Sequence, residues 1–283
     1  MMIRFAAAAV LLAGAAPALA QDTDPPSPIT VSGSAALVSD YRFRGVSQSD
    51  EEIAVQAGVT VAHESGFYVA TWASNLAGWG TFGGANIELD LVGGFKTAIG
   101  EGGTVDVGVT WYMYPGGSDK TDFAELYAKL SGTAGPITMT AGVAYAPPQE
   151  ALGNWSFTGT NAQDVLAGGP YDDEGDSEDN LYLWADGALA VPNTPLTGKV
   201  HLGYSDGNPG LGPNGTSVAP TGKYWDWLVG VDLALAPVTL GVAYVDTDIS
   251  RNESAYLLPN FSSTKDGGPI ADAQVVFSAT VSF

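Results

Sequence analysis

From about residue 30 to the last residue, apolar and polar positions alternate with a period of two, the signature of strands with two different faces. Twelve such segments can be separated. On the first, Val31, Gly33, Ala35, Leu37, Tyr41 and Phe43 share one face. The second runs over Ile53–Val61, the fourth over Ile87–Phe95, the fifth over Val105–Met113, the sixth over Ala124–Leu130 and the seventh over Ile137–Tyr145. After a long gap come Leu181–Val191, Gly198–Tyr204, Trp225–Leu235, Val238–Tyr244 and Val275–Phe283. The third segment, Gly66–Asn75, leaves its parity open between Phe67/Val69 and Tyr68/Ala70/Trp72.

The connections alternate between short (His63–Gly66, Thr97–Gly103, Ser131–Pro136, Pro192–Leu196, Ala236–Pro237) and long (Gly45–Glu52, Leu76–Gly84, Pro115–Thr121, Pro147–Asp179, Asp206–Gly222, Asp246–Ala271). Short turns at one end, long loops at the other and an even strand count predict an all-β fold. The expected form is a closed, antiparallel, up-and-down transmembrane β-barrel of about twelve strands, with short periplasmic turns and long extracellular loops. Aromatic residues cluster at strand ends on the apolar face. Tyr41, Phe43, Trp111, Tyr145, Tyr204, Trp225, Trp227 and Tyr244 fall at the upper end, Phe95 and Phe283 at the lower, as two interfacial girdles require. A soluble sandwich would place its core aromatics in mid-strand.

The opposite parity carries nearly all the charge within strands: Asp40, Arg42, Arg44, Glu88, Asp90, Lys96, Asp106, Glu125, Lys129, Asp186, Lys199, Asp226 and Asp232, eight acids and five bases. A basic side chain facing lipid at mid-depth costs about 2–4 kcal/mol, so this face reads as a polar lumen. Asp40, Arg42, Arg44, Glu88, Asp90, Glu125 and Asp226 fall in its upper half and are the candidate pore-lining residues. Arg42 and Arg44 facing carboxylates across the bore would set up a transverse field; a charge network tying the wall together would use the same residues. Inward Tyr112, Tyr127, Tyr182, Trp184 and Tyr224, together with Trp155 and Phe157 in the long loop, predict that any pore is narrow.

Composition adds the compartment. Met1–Ala20 has Arg4, an apolar stretch and Ala18-Leu19-Ala20, the layout of a cleaved signal peptide. The expected organisation is residues 1–20 signal peptide, 21–29 periplasmic leader and 30–283 barrel, in the cell outer membrane. The chain has no cysteine and a net charge of −21, which excludes disulfides and cysteine-held metal and argues against nucleic acid as a partner. The acidic run Asp172, Asp173, Glu174, Asp176, Glu178 and Asp179 lacks the spacing of a twelve-residue calcium loop and reads as a solvated loop. His63 and His201 belong to no nucleophile or metal motif. No cofactor, metal or enzymatic activity is expected.

Ser39–Gln48, His63–Tyr68, Trp72–Asn75 and Ile87–Phe95 together resemble the TorF family of proteobacterial outer-membrane porins. The resemblance is strong over the first three segments and general beyond the fourth. It implies a channel in a Gram-negative outer membrane, with lipid and the barrel-assembly machinery as partners, small solutes or ions as cargo and a homo-oligomer as the expected assembly. The acidic excess in lumen and loops predicts weak cation selectivity. A closed structural or adhesive barrel, whose acidic loops bind partners or divalent cations, is the alternative.

Overall fold

The computed structural model describes residues 28–118, 120–155, 167–168 and 175–283. The signal peptide, almost all of the leader, Phe157 and the acidic residues Asp172–Glu174 lie outside the described residues. Twelve strands form one closed antiparallel barrel: β1 Ile29–Val38, β2 Ala54–His63, β3 Phe67–Asn75, β4 Ile87–Ile99, β5 Gly103–Met113, β6 Phe123–Ala134, β7 Ile137–Gln149, β8 Glu178–Ala190, β9 Leu196–Gly207, β10 Lys223–Leu235, β11 Val238–Thr247 and β12 Gln274–Ser282. Each strand pairs with its neighbours in sequence, and β1 pairs with β12 to close the ring. Closure leaves no unpaired edge, the condition for a sheet to cross hydrocarbon.

Alternation in the sequence becomes inside and outside in the barrel. Outward residues such as Val31, Val69, Leu126, Met139, Val229 and Phe277 are exposed, while the residues between them point inward. An exposed apolar belt covering every strand far exceeds the patches that water-soluble monomers carry and fits a lipid-facing skin. The third segment acquires its parity from register: Val61 pairs with Val69, so Phe67 and Val69 face out and Tyr68, Ala70, Trp72 and Ser74 face in. Phe67 then packs on Phe95 with ring centroids 4.9 Å apart at the short-turn end.

Trp111, Tyr145, Tyr204, Trp225, Trp227 and Tyr244 lie on the outward face toward the long loops. The Tyr204 and Trp225 rings are 4.9 Å apart. The Tyr145 and Tyr244 hydroxyls donate to Asp179 and Asp246, each at 2.8 Å. Two residues expected in this girdle are elsewhere. Tyr41 is only 3% exposed, and Phe43 packs edge-on against the inward ring of Tyr112. The physical reason lies two residues earlier. β1 ends at Val38 because polar Ser39 occupies the next outward position and is tied to Phe277, accepting its N–H at 2.9 Å through Oγ. From Asp40 the chain leaves the wall and turns into the bore.

The barrel begins at Ile29, one residue before the expected boundary. Its seam is held at the lower rim by Gly33 and Phe283, which exchange backbone hydrogen bonds of 2.8 and 2.9 Å. A Cβ on Gly33 would stand 2.6 Å from the Phe283 ring, so glycine is required by the close approach. Deleting Phe283 removes both bonds and the ring that covers the seam. The expected outcome is loss of the heat-modifiable folded band on gels and degradation of the chain; surface levels equal to wild type would contradict this role.

Candidate functional site: the lumen and its inner loop

The long connection after β1 does not stand above the barrel. Residues 39–53 fold into the upper bore, and their tip is a two-residue hairpin in which Arg42 pairs with Ser47 and Phe43 with Val46. Its turn residues, Arg44 and Gly45, have φ of 48° and 81°, as primed hairpin turns demand. Gly45 packs against β10 and β11, where an added Cβ would come within 2.9 Å of Asp226 and closer still to Thr247. Asp40 organises the base of the loop. Its carboxylate accepts from Arg42 Nε at 2.6 Å, from Ser47 Oγ at 2.6 Å and from Ser49 Oγ at 3.2 Å. Asp40, Arg42 and Arg44 were expected on the inner face of a strand. They are luminal, but they belong to this inserted loop.

Arg42 is spent within the loop and its surroundings, on Asp40, on Glu51 at 3.2 Å and on the carbonyl of Asp272 at 2.9 Å. Arg44 reaches across the bore. Its Nη2 donates to both oxygens of Glu125 on β6, at 2.7 and 2.8 Å, and its guanidinium lies 4.2 Å from the ring centroid of Tyr182 on β8. Both partners of the pair are buried. Glu88 and Asp90 project inward from β4, and the Tyr41 hydroxyl donates to Glu88 at 3.1 and 3.2 Å. Among the described residues neither acid has a base within ion-pair distance, and Asp90 Oδ1 has no hydrogen-bond partner. Asp226, on β10, accepts from the Tyr182 hydroxyl at 3.1 Å and lies 3.2 Å from His201 Nε2.

Deeper in the lumen the charges are tied into the wall. Lys199 donates to Asp232 at 2.6 Å, and Lys129 lies 3.4 Å from Asp106. The Tyr68 hydroxyl donates to Asp106 at 2.7 Å and touches the hydroxyl of Tyr127. His201 links β8 to β9 through Asp186, 2.6 Å from Nδ1, and through Tyr182, 2.8 Å from Nε2. Both ring nitrogens are thereby occupied by wall residues.

Around the tip of the inner loop, apolar residues of that loop, of several long connections and of the upper strand ends pack together. Val46, Trp79, Tyr224, Ile249, Leu257 and Phe261 form one buried cluster, and Phe82, Phe123, Ala146, Ala151 and Leu152 another. The spaces between them include two of about 20 and 10 Å³. At roughly one water each, they are far narrower than the bore of a twelve-stranded wall would be if empty. Among the described residues no cluster of three or more His, Asp or Glu could hold a metal ion.

An apolar skin, a closed sheet and a charged lumen crossed by a loop define a porin-like transmembrane β-barrel. The chain belongs to a family described as bacterial protein of unknown function, Gcw_chp, whose model matches residues 22–283. That description names no activity and does not use the TorF name. Several solved outer-membrane proteins have similar folds. A KdgM porin in complex with disordered oligogalacturonate has a TM-score of 0.48 and 6% identity, covering 89% of this chain and 97% of its own. An outer-membrane channel from Pseudomonas putida F1 has a TM-score of 0.47 and 9% identity, covering 93% and 100%. The channel DcaP of Acinetobacter baumannii has a TM-score of 0.39 and 12% identity, covering 90% and 97%. No curated protein matches the sequence.

Sequence reasoning missed the inserted loop and the loop clusters. The signals were Ser39 at an outward position and large apolar residues in connections that should be polar, among them Trp79, Phe82, Leu257, Phe261 and Ile270. Removing one partner of a buried ion pair costs about 3–5 kcal/mol, because the other charge is stranded. Arg44→Gln should therefore lower the thermal midpoint of the detergent-solubilised protein, and Arg44→Gln with Glu125→Gln should recover most of the loss. Equal midpoints for wild type and Arg44→Gln would show that the pair does not hold the loop.

Proposed function

We propose that the protein is an outer-membrane channel that passes small polar solutes and ions through a narrow lumen, with a modest preference for cations. The observation that carries this reading is the split between the two faces of the wall. The outside is apolar from rim to rim, while the inside carries charged or hydroxylated side chains at every level. A barrel filled only to be stable would not need its inner face so polar. The cation preference is supported by Glu88 and Asp90, which point inward from β4 and, among the described residues, have no base within ion-pair distance, whereas Arg42 and Arg44 are neutralised by Asp40, Glu51 and Glu125. Carboxylates on a low-dielectric wall concentrate cations near them. Export through a cleaved signal peptide at residues 1–20, a leader to residue 29, folding by the barrel-assembly machinery, outer-membrane lipid around the belt and a homo-oligomeric assembly complete the proposal.

A closed structural barrel is the second reading, favoured by the packing of residues 39–53 across the bore. Planar-bilayer recording of the refolded protein separates the two. The channel reading expects small unitary currents and a reversal potential on the cation side across a KCl gradient. Glu88→Gln with Asp90→Asn should move that potential toward zero, and more so at low salt, where screening is weak. An anion-selective wild type would refute the lumen assignment. Silence in wild type, together with currents on deletion of residues 40–50, would establish the closed barrel.

A further inference from the structure

Glycines on the two faces of the wall have different surroundings. On the outer face, an added Cβ on Gly93, Gly132 or Gly198 would meet nothing within 4 Å. On the inner face, four glycines lie under aromatic side chains. A Cβ on Gly94 would stand 2.6 Å from the phenol of Tyr68, and one on Gly108 would stand 2.5 Å from the Tyr127 hydroxyl. A Cβ on Gly142 would overlap the Trp184 indole, and one on Gly203 the Tyr182 hydroxyl. None of these four glycines has a positive φ. Space, not turn geometry, therefore requires a residue that weakens a strand. Tyr68, Gly94, Gly108 and Tyr127 stand in register across β3 to β6. The two tyrosines thus reach toward each other along the wall, hydroxyl touching hydroxyl, over a pair of glycines.

Exposure divides the lumen by height. Ser74, Glu88, Glu125, Asn180, Ser205 and Asp226, in the upper lumen with the inserted loop, are at most 3% exposed. Toward the short turns, the inward residues Thr60, Thr104, Thr140, Thr197 and Thr239 are partly exposed. The bases there are drawn to the wall, Lys129 by Asp106 and Lys199 by Asp232. We propose that the inward glycines are seats that hold the rings against the wall, and that they keep a water-filled vestibule open below the loop, reached from the short-turn end. Gly94, Gly108, Gly142 and Gly203 thereby set its bore, and with it the largest ion or solute that can reach the loop. A methyl group on Gly94 or Gly142 has the wall behind it, so the ring over it must swing toward the barrel axis. The inference rests on the channel reading only in making the vestibule part of a path.

The chain contains no cysteine, so Thr110→Cys supplies a single thiol. Thr110 is partly exposed and one inward position above Gly108, at the inner end of the vestibule. The purified full-length protein, checked for folding by heat-modifiable mobility, would be treated with methyl methanethiosulfonate and with the bulkier trimethylammonium-ethyl methanethiosulfonate. Both are expected to react. Gly94→Ala should slow the bulkier reagent several-fold and spare the smaller one, and Tyr68→Ala in the same chain should restore the rate. Gly142→Ala, with Trp184→Ala as its restoring partner, makes the same comparison if Gly94→Ala does not fold. Gly93→Ala, on the outer face, should change nothing. A thiol inert to both reagents overturns the vestibule, and an unchanged rate in the folded glycine variants overturns the seats. A reactive thiol in a protein that carries no current in planar bilayers overturns the channel reading alone.

Discussion

The pair between Arg44 and Glu125 spans the bore from an inserted hairpin to the opposite wall, and much of the upper lumen is arranged around it. A guanidinium taken out of water loses its hydration, and here Nη2 recovers part of it through bonds to both oxygens of one carboxylate, with the ring faces of Phe43 and Tyr182 beside it, while Nη1 is buried without a hydrogen-bond partner among the described residues. The pair is useful because it is directional. A purely apolar tip would settle anywhere in the bore, whereas a cation paired with a fixed carboxylate is held beside it. The left-handed turn at Arg44–Gly45 follows from that seat, because it brings the backbone against Asp226 while aiming the side chain at β6.

Asp40 does the equivalent work at the hinge. It gathers Arg42, Ser47 and Ser49 within a stretch of ten residues, so the loop enters the barrel as a preformed knot. The charges divide accordingly. The two arginines of the loop are neutralised locally and across the bore, and Lys129 and Lys199 of the lower lumen pair along the wall with Asp106 and Asp232. Glu88 and Asp90, both inward on β4, have no base within ion-pair distance among the described residues. A lumen with a formal excess of acid thus concentrates that excess at one height, beside the inserted loop.

The wall was legible in the sequence because lipid and lumen impose a period of two on every strand, and no competing demand obscures it. Register then resolved the one ambiguous segment, since Val69 must face the same way as its partner Val61. The contents of the bore were only partly legible. Which residues face inward could be read, including Asp226 and Glu125, but not what they meet, because their partners come from loops with no period. Tyr41 and Phe43 show the limit clearly. Their spacing continues the outward face of β1, and only the polar Ser39 between them and Leu37 indicates that the wall has ended. Trp79, Leu257 and Phe261 are scattered in sequence and converge only once the barrel brings their loops to one rim.

Eleven of the twelve strand pairings join neighbours in sequence, and the twelfth joins Ser34 to Ser282. The eleven can form as local hairpins; the last must bring together two points separated by nearly the whole described chain, which makes it the slow, entropically costly step. Until it forms, the protein is an open sheet with two bare edges of hydrogen-bonding groups, each able to pair with the wrong partner. The tight fit of the Phe283 ring over Gly33 therefore bears on more than stability. It gives the two edges a mutual recognition feature, and so a means of choosing each other over another copy of the same chain.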